Sequence, residues 1–109
     1  MRKIGTLNPI DLVPVPPDTV GAAIISSAAA VVAQDWPSSA AHLALFSGTV
    51  DFYVNFQSTS VSIPSTNSAG STANLNELNP GMRQRWSDST GYSITGPSSG
   101  VVSISFWSK

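Results

Sequence analysis

The sequence predicts an all-β protein, a small β-sandwich or jelly roll led by an extended Pro-rich N-terminal arm. Three observations carry that prediction. In Val50-Asp-Phe-Tyr-Val-Asn-Phe56, apolar Val50, Phe52, Val54 and Phe56 alternate with Asp51, Tyr53 and Asn55, the period of two that gives a strand one buried face. Short apolar runs recur at roughly ten-residue spacing between Gly, Pro, Ser and Asn clusters, the rhythm of sandwiches and jelly rolls. Pro9, Pro14, Pro16 and Pro17 crowd into the first twenty residues, where they remove backbone donors and hold the chain extended. At 109 residues the chain is one domain at most, divided here into an arm over 1–20 and a sandwich over 21–109.

Within the arm, Ile4, Leu7, Ile10, Leu12, Val13 and Val15 are apolar, unlike a typical disordered tail. The segment is expected to lie against its own sandwich or against a neighbouring subunit. Residues 21–37, GAAIISSAAAVVAQDWP, are read as two short strands divided at Ser26-Ser27 and ended by Pro37. Ile24, Ile25, Val31 and Val32 are β-branched. Helix is the competing reading because of the alanines, but a helix apolar on every face would have to be fully buried. Leu43 and Leu45 belong to the next strand, and Ser47-Gly48 turns the chain into the alternating run described above.

Residues 57–80 are polar and loop-like around a short strand at Val61 and Ile63. Asn79-Pro80-Gly81 is a turn signature, and Met82 to Trp86 is a further strand. Asp88-Ser-Thr-Gly91 turns into Tyr92-Ser-Ile-Thr95, and Gly96 to Gly100 forms a hairpin turn into the last strand. There Val102, Ile104 and Phe106 face one way, while Val101, Ser103, Ser105 and Trp107 face the other.

Composition narrows the function. Five basic and six acidic residues give a net charge of −1, which argues against a nucleic-acid partner. The chain has no cysteine and one histidine, His42, so no thiolate metal site exists and no cofactor is expected. No apolar run reaches the length of a membrane span. Val20 to Ala33 has the texture of a signal-peptide core behind Arg2 and Lys3, but Asp11, Asp18 and four prolines intervene. Charged residues make up only 10% of the chain, and 19 serines with 8 threonines take their place. A surface so poor in charge favours association over a freely diffusing monomer.

Catalytic patterns are weak. Gly96-Pro-Ser-Ser-Gly100 fits the G-x-S-x-G elbow of hydrolases, but that elbow needs a helix after the serine and a histidine partner; here a strand follows Ser98. Asp88-Ser-Thr-Gly91 has one residue too many for the aspartic-protease triplet. The six carboxylates, Asp11, Asp18, Asp35, Asp51, Glu77 and Asp88, are scattered, with Glu77 in a loop, so no pair is selected for glycoside hydrolysis. His42 reads as a surface or hydrogen-bonded histidine. The aromatics are more informative. Trp36, Trp86, Trp107 and Tyr53 serve as core anchors, as interface anchors or as platforms for stacking sugars. With Ile10, Leu12, Val13 and Val15 of the arm they form the candidate interface.

Three stretches, VAQDWPSSAAHLALFSGTVDFYVNF, NELNPGMRQRW and STGYSITGPSSGVVSISFWSK, together resemble small structural proteins of tailed bacteriophage virions. Those proteins pair a W-P turn, here Trp36-Pro37, with a strand of D-x-Y-V-N type, here Asp51 to Asn55. A pattern like Asn79-Pro-Gly81 follows, and a Ser-Gly turn precedes a last strand ending in an aromatic. The similarity spans residues 32–109, rests on strand texture and brings no catalytic residues. It implies a non-enzymatic subunit of the virion, assembled in the host cytoplasm, most simply a capsid decoration (cement) protein. Its implied partners are the major capsid protein or other virion proteins and further copies of itself, as a trimer. A minor tail or head-tail protein and a carbohydrate-binding sandwich are the alternatives.

Overall fold

In the computed structural model, which describes residues 15–70, 75–85 and 91–108, the clearest strand is the last. β8 (Gly100–Ser108) buries Val102, Ile104 and Phe106 and turns Val101 and Ser103 outward. It is flanked by β1 (Thr19–Ile25) and β3 (Ala41–Gly48), and β6 (Met82–Gln84) joins the far side of β3, in the order β1-β8-β3-β6. The facing sheet contains β2 (Val32–Asp35), β7 (Gly91–Thr95), β4 (Tyr53–Asn55) and β5 (Asn76–Leu78), in the order β2-β7-β4-β5. Every pairing is antiparallel. No helix occurs among the described residues.

The register explains the topology. Thr19 lies opposite Phe106, Val32 opposite Ile94, Leu43 opposite Gln84 and Tyr53 opposite Leu78. Each pair is nested inside the one before, so the chain is one long hairpin whose apex lies between Asn55 and Asn76. Rolling that hairpin over brings β8 against β3 and β7 against β4, the construction of a jelly roll. Consecutive strands therefore switch sheets everywhere except between β4 and β5. The Gly96–Gly100 turn is accordingly a corner between sheets, not the hairpin that its sequence suggests. Asn79-Pro80-Gly81 is likewise a corner: Asn79 adopts φ of 45°, which asparagine tolerates. Its side-chain oxygen accepts from the Phe52 amide at 2.9 Å.

Between the sheets, aromatic rings meet edge to face. Trp36 contacts Phe106 at 5.6 Å and Tyr92 at 6.0 Å between centroids, and Phe46 contacts Tyr92 and Phe56. Such contacts add about 0.5–1.5 kcal/mol each beyond area burial. Aliphatic Ile25, Val54, Ile94, Val102 and Ile104 complete the core. A bulge between Ala41 and Leu43 shifts the parity of β3, so Ala41, Ala44 and Phe46 point inward while Leu45 is exposed.

Several expectations fail locally: Ser47 and Gly48 continue β3 instead of turning, and of the alternating run Val50–Phe56 only Tyr53–Asn55 is strand. Val61 and Ile63 form no strand, and Val61 lies buried outside the main core cluster. Glu77, expected in a loop, instead lies in the strand β5. The expected Met82–Trp86 strand is β6 over Met82–Gln84, and Trp86 lies outside the described residues.

Candidate functional site

The two outer faces of the sandwich differ. On the β2-β7-β4-β5 sheet the chain covers the middle of its own face, at β7 and β4, while Ala33, Asp35 and Leu78 on the flanking strands stay exposed. Ser93 points away from Tyr92 and Ile94, yet it is fully buried. Its hydroxyl donates to the Ser58 carbonyl at 2.7 Å and accepts from the Val61 amide at 3.0 Å, fastening the stretch 58–61 over β7. Asn55, expected on a solvent face, is buried beside it. Asn55 donates to Asn76 Oδ1 and accepts from the Gln57 amide.

Among the described residues, nothing covers the opposite sheet. Pairing places Val20, Ala22 and Ile24 of β1 beside Ser105, Ser103 and Val101 of β8, and Leu43, Leu45 and Ser47 of β3 beside Trp107, Ser105 and Ser103. Met82 and Gln84 of β6 continue the rows. None of these twelve outward residues is Asp, Glu, Lys or Arg, and Val20 and Ile24 are 63% and 66% exposed. Apart from Trp107, sequence reasoning did not select this face. Only the alternation of β8 pointed to it, because β1 is apolar on both sides and hides its phase.

The predicted interface residues divide accordingly. Trp107 is half-buried on the bare face, and its indole N–H donates to the Val15 carbonyl at 3.1 Å. Val15 itself is exposed. Tyr53 is half-buried on the other sheet, opposite Thr95. Trp36 is a core residue and offers no exposed ring: it is 6% accessible, and the Arg85 guanidinium lies 5.4 Å above it. Its indole nitrogen has no hydrogen-bond partner among the described residues. Ile10, Leu12, Val13 and Trp86 lie outside the described residues. Trp107 and Tyr53 thus occupy opposite faces and cannot stack on one sugar.

The catalytic patterns acquire structural explanations. Ser98 lies before the start of β8, whereas His42 lies beside its end, next to the Leu43–Trp107 pairing. At about 3.3 Å per residue the two are on the order of 20 Å apart, too far for a nucleophile and its base. His42 Nε2 is 2.7 Å from Gln84 Nε2. Gly96 is required because a Cβ there would meet the Asp51 carbonyl oxygen at 2.8 Å. The motif is a packing constraint at a corner.

Three of the described carboxylates are engaged in structure. Glu77 accepts from Arg83 Nη2 at 2.8 Å, tying β5 to β6 across the sheets. Asp51 accepts from Asn79 at 3.0 Å. Asp18 accepts from the hydroxyl of Ser108 at 2.7 Å and from its amide, and these bonds hold its carboxyl below the usual value of 3.8. Among the described residues no three His, Asp or Glu side chains gather to hold a metal. No helix there is long and apolar enough to cross a membrane. No family model matches the chain, and neither a curated protein nor a solved structure matches it.

Proposed function

We propose that this chain is a non-enzymatic structural subunit of a bacteriophage virion, a capsid decoration (cement) protein that binds the major capsid protein and further copies of itself. The observation that carries the reading is the charge-free outer face of the β1-β8-β3-β6 sheet, which no described residue covers, set against the partly self-covered face opposite. A monomer working alone in solution gains nothing from leaving Val20, Ile24, Leu45, Met82 and Val101 in water. Covering them releases ordered hydration at about 25 cal/mol per Å². The sequence resemblance over residues 32–109 supplies the kind of partner.

Strand spacing and length give that face an area of about 500 Å², short of the roughly 800 Å² that a partner contributes to a standard interface. One contact of this size is weak. Repetition around a shell, with several contacts made at once, turns weak contacts into stable attachment. The arm residues Ile10, Leu12 and Val13, which the chain carries just ahead of Val15, are assigned to the same interface.

Particles purified from the culture that makes the chain provide the test. A decoration subunit is expected in amounts comparable to the major shell protein, and Leu45→Glu on the bare face is expected to release it from the shell without unfolding it. A few copies per particle replace decoration with a minor tail or head-tail role. Absence from every particle fraction overturns the virion reading.

A further inference from the structure

A jelly roll has four strand edges, and here they are unequal. β2, β5 and β6 are four, three and three residues long, and each carries a charged side chain: Asp35, Glu77 and Arg83. Short length and charge are the usual means by which edges avoid pairing with other chains. β1 is different. It runs seven residues, Thr19-Val-Gly-Ala-Ala-Ile-Ile25, with no charge and no proline, and among the described strands only β8 pairs with it, on one side.

The direction of the free backbone groups follows from the hydrogen bonds. The Thr49 amide donates to the Val101 carbonyl, so Val101 and Ser103 turn their backbone groups to β3, and Ala22, opposite Ser103, turns its own away from β8; there Gln34 Nε2 donates to the Ala22 carbonyl at 3.0 Å. Ala22 therefore points its N–H and C=O outward, and Val20 and Ile24, two residues either way, do the same. Gln34 satisfies one lone pair of one carbonyl and leaves the second open. Unmatched edge groups of this kind template a further strand.

We propose that two copies of this chain join through their β1 edges, antiparallel about a two-fold axis at Ala22, to make one continuous eight-stranded sheet. The strand is self-complementary in this register. Val20 faces Ile24 of the second copy, Ala22 faces Ala22, and Ile24 faces Val20, each pair exchanging both backbone bonds. On the outer face the branched Val20 and Ile24 side chains cover each other, where both now stand more than 60% exposed. On the inner side Gly21 meets Ala23, and these small residues admit close approach. A net charge of −1 leaves almost no repulsion between copies. Two-fold pairing uses one patch on both partners and closes, so it gives dimers rather than fibres. The inference stands apart from the virion reading, since it requires only the edge.

Sedimentation velocity of the purified chain tests it. The expected species at tens of micromolar is a dimer, and both Ile24→Lys and Ala22→Pro are expected to shift it to monomer by tenfold or more in dissociation constant. Both substitutions are expected to leave the folded monomer intact: Ile24 is exposed, and the Ala22 N–H has no partner among the described residues. Circular dichroism checks that directly. Leu45→Lys, on the same outer face but away from the edge, is expected to remain dimeric. Amide exchange at Val20, Ala22 and Ile24 is expected to slow at least tenfold as concentration rises. A wild-type monomer at every concentration overturns the proposal. So does a trimer, or a dimer that survives both edge substitutions.

Discussion

Replacing Ser93 by alanine removes a single hydroxyl that holds two distant parts of the chain together. Ser93 Oγ donates to the Ser58 carbonyl and accepts from the Val61 amide, and Ser93 is fully buried. Each bond contributes about 1 kcal/mol net, and a buried donor left without a partner costs about 1–3 kcal/mol more. Ser58 is partly accessible and regains water. Val61 is only 3% exposed, so its amide bears the larger penalty. The expected loss is about 2–4 kcal/mol, a large share of the roughly 5–15 kcal/mol that holds a domain folded. In urea this lowers the unfolding midpoint by about 2 M with the slope unchanged. The Val61 amide should lose its protection against hydrogen exchange at the same time. A Ser93→Ala variant within about 0.5 kcal/mol of wild type, with the Val61 amide still protected, would refute the view that this hydroxyl fastens the covering loop.

Three further outcomes are expected. Ile104→Ala, at a fully buried site in the middle of β8, should cost about 2–5 kcal/mol by urea titration. Burial pushes the Tyr92 phenol up to about 12, so the folded chain binds that proton more tightly than the unfolded chain. The associated stability is complete below the ordinary value of 10.0 and fades as pH rises toward the folded value; an alkaline absorbance titration should show a late phenolate component that Tyr92→Phe abolishes. For Asp18 the sign is opposite. Its lowered value stabilises the fold above 3.8 and the benefit disappears as pH falls through the folded value, so Asp18→Asn should be less stable than wild type at neutral pH and equal to it in strong acid.

How much of this was legible in the sequence depended on whether a strand faces two different environments. β8 does, with core on one side and bare surface on the other, and its alternation of Val102, Ile104 and Phe106 against Ser103 and Ser105 reads directly. β1 separates from β2 at Ser26-Ser27 as expected, yet Val20, Ala22 and Ile24 are as apolar as Ala23 and Ile25. No pattern tells its two faces apart. β5, Asn-Glu-Leu, has no apolar rhythm at all; it is a strand because β4 offers it an edge and Asn55 offers Asn76 a hydrogen bond. Val61 misled in the opposite direction, since its burial comes from a loop lying on Ser93. The aromatics could not be sorted from sequence because a tryptophan before a proline suits a core and a surface equally. Only the closure of the two sheets puts Trp36 inside and Trp107 at the rim.

The nested register carries a kinetic consequence. β4 and β5 close a stretch of about twenty residues, whereas β1 and β8 must span nearly the whole described chain, a difference of about 1 kcal/mol in closure entropy alone. The molecule should zip from the apex toward its ends, seating β1 last and releasing it first. Amide protection graded from Val54 down to Ala23 would record that order. A strand that is last to dock is also the one a neighbouring molecule can most readily supply, which makes exchange of β1 between copies the natural fault line of this architecture.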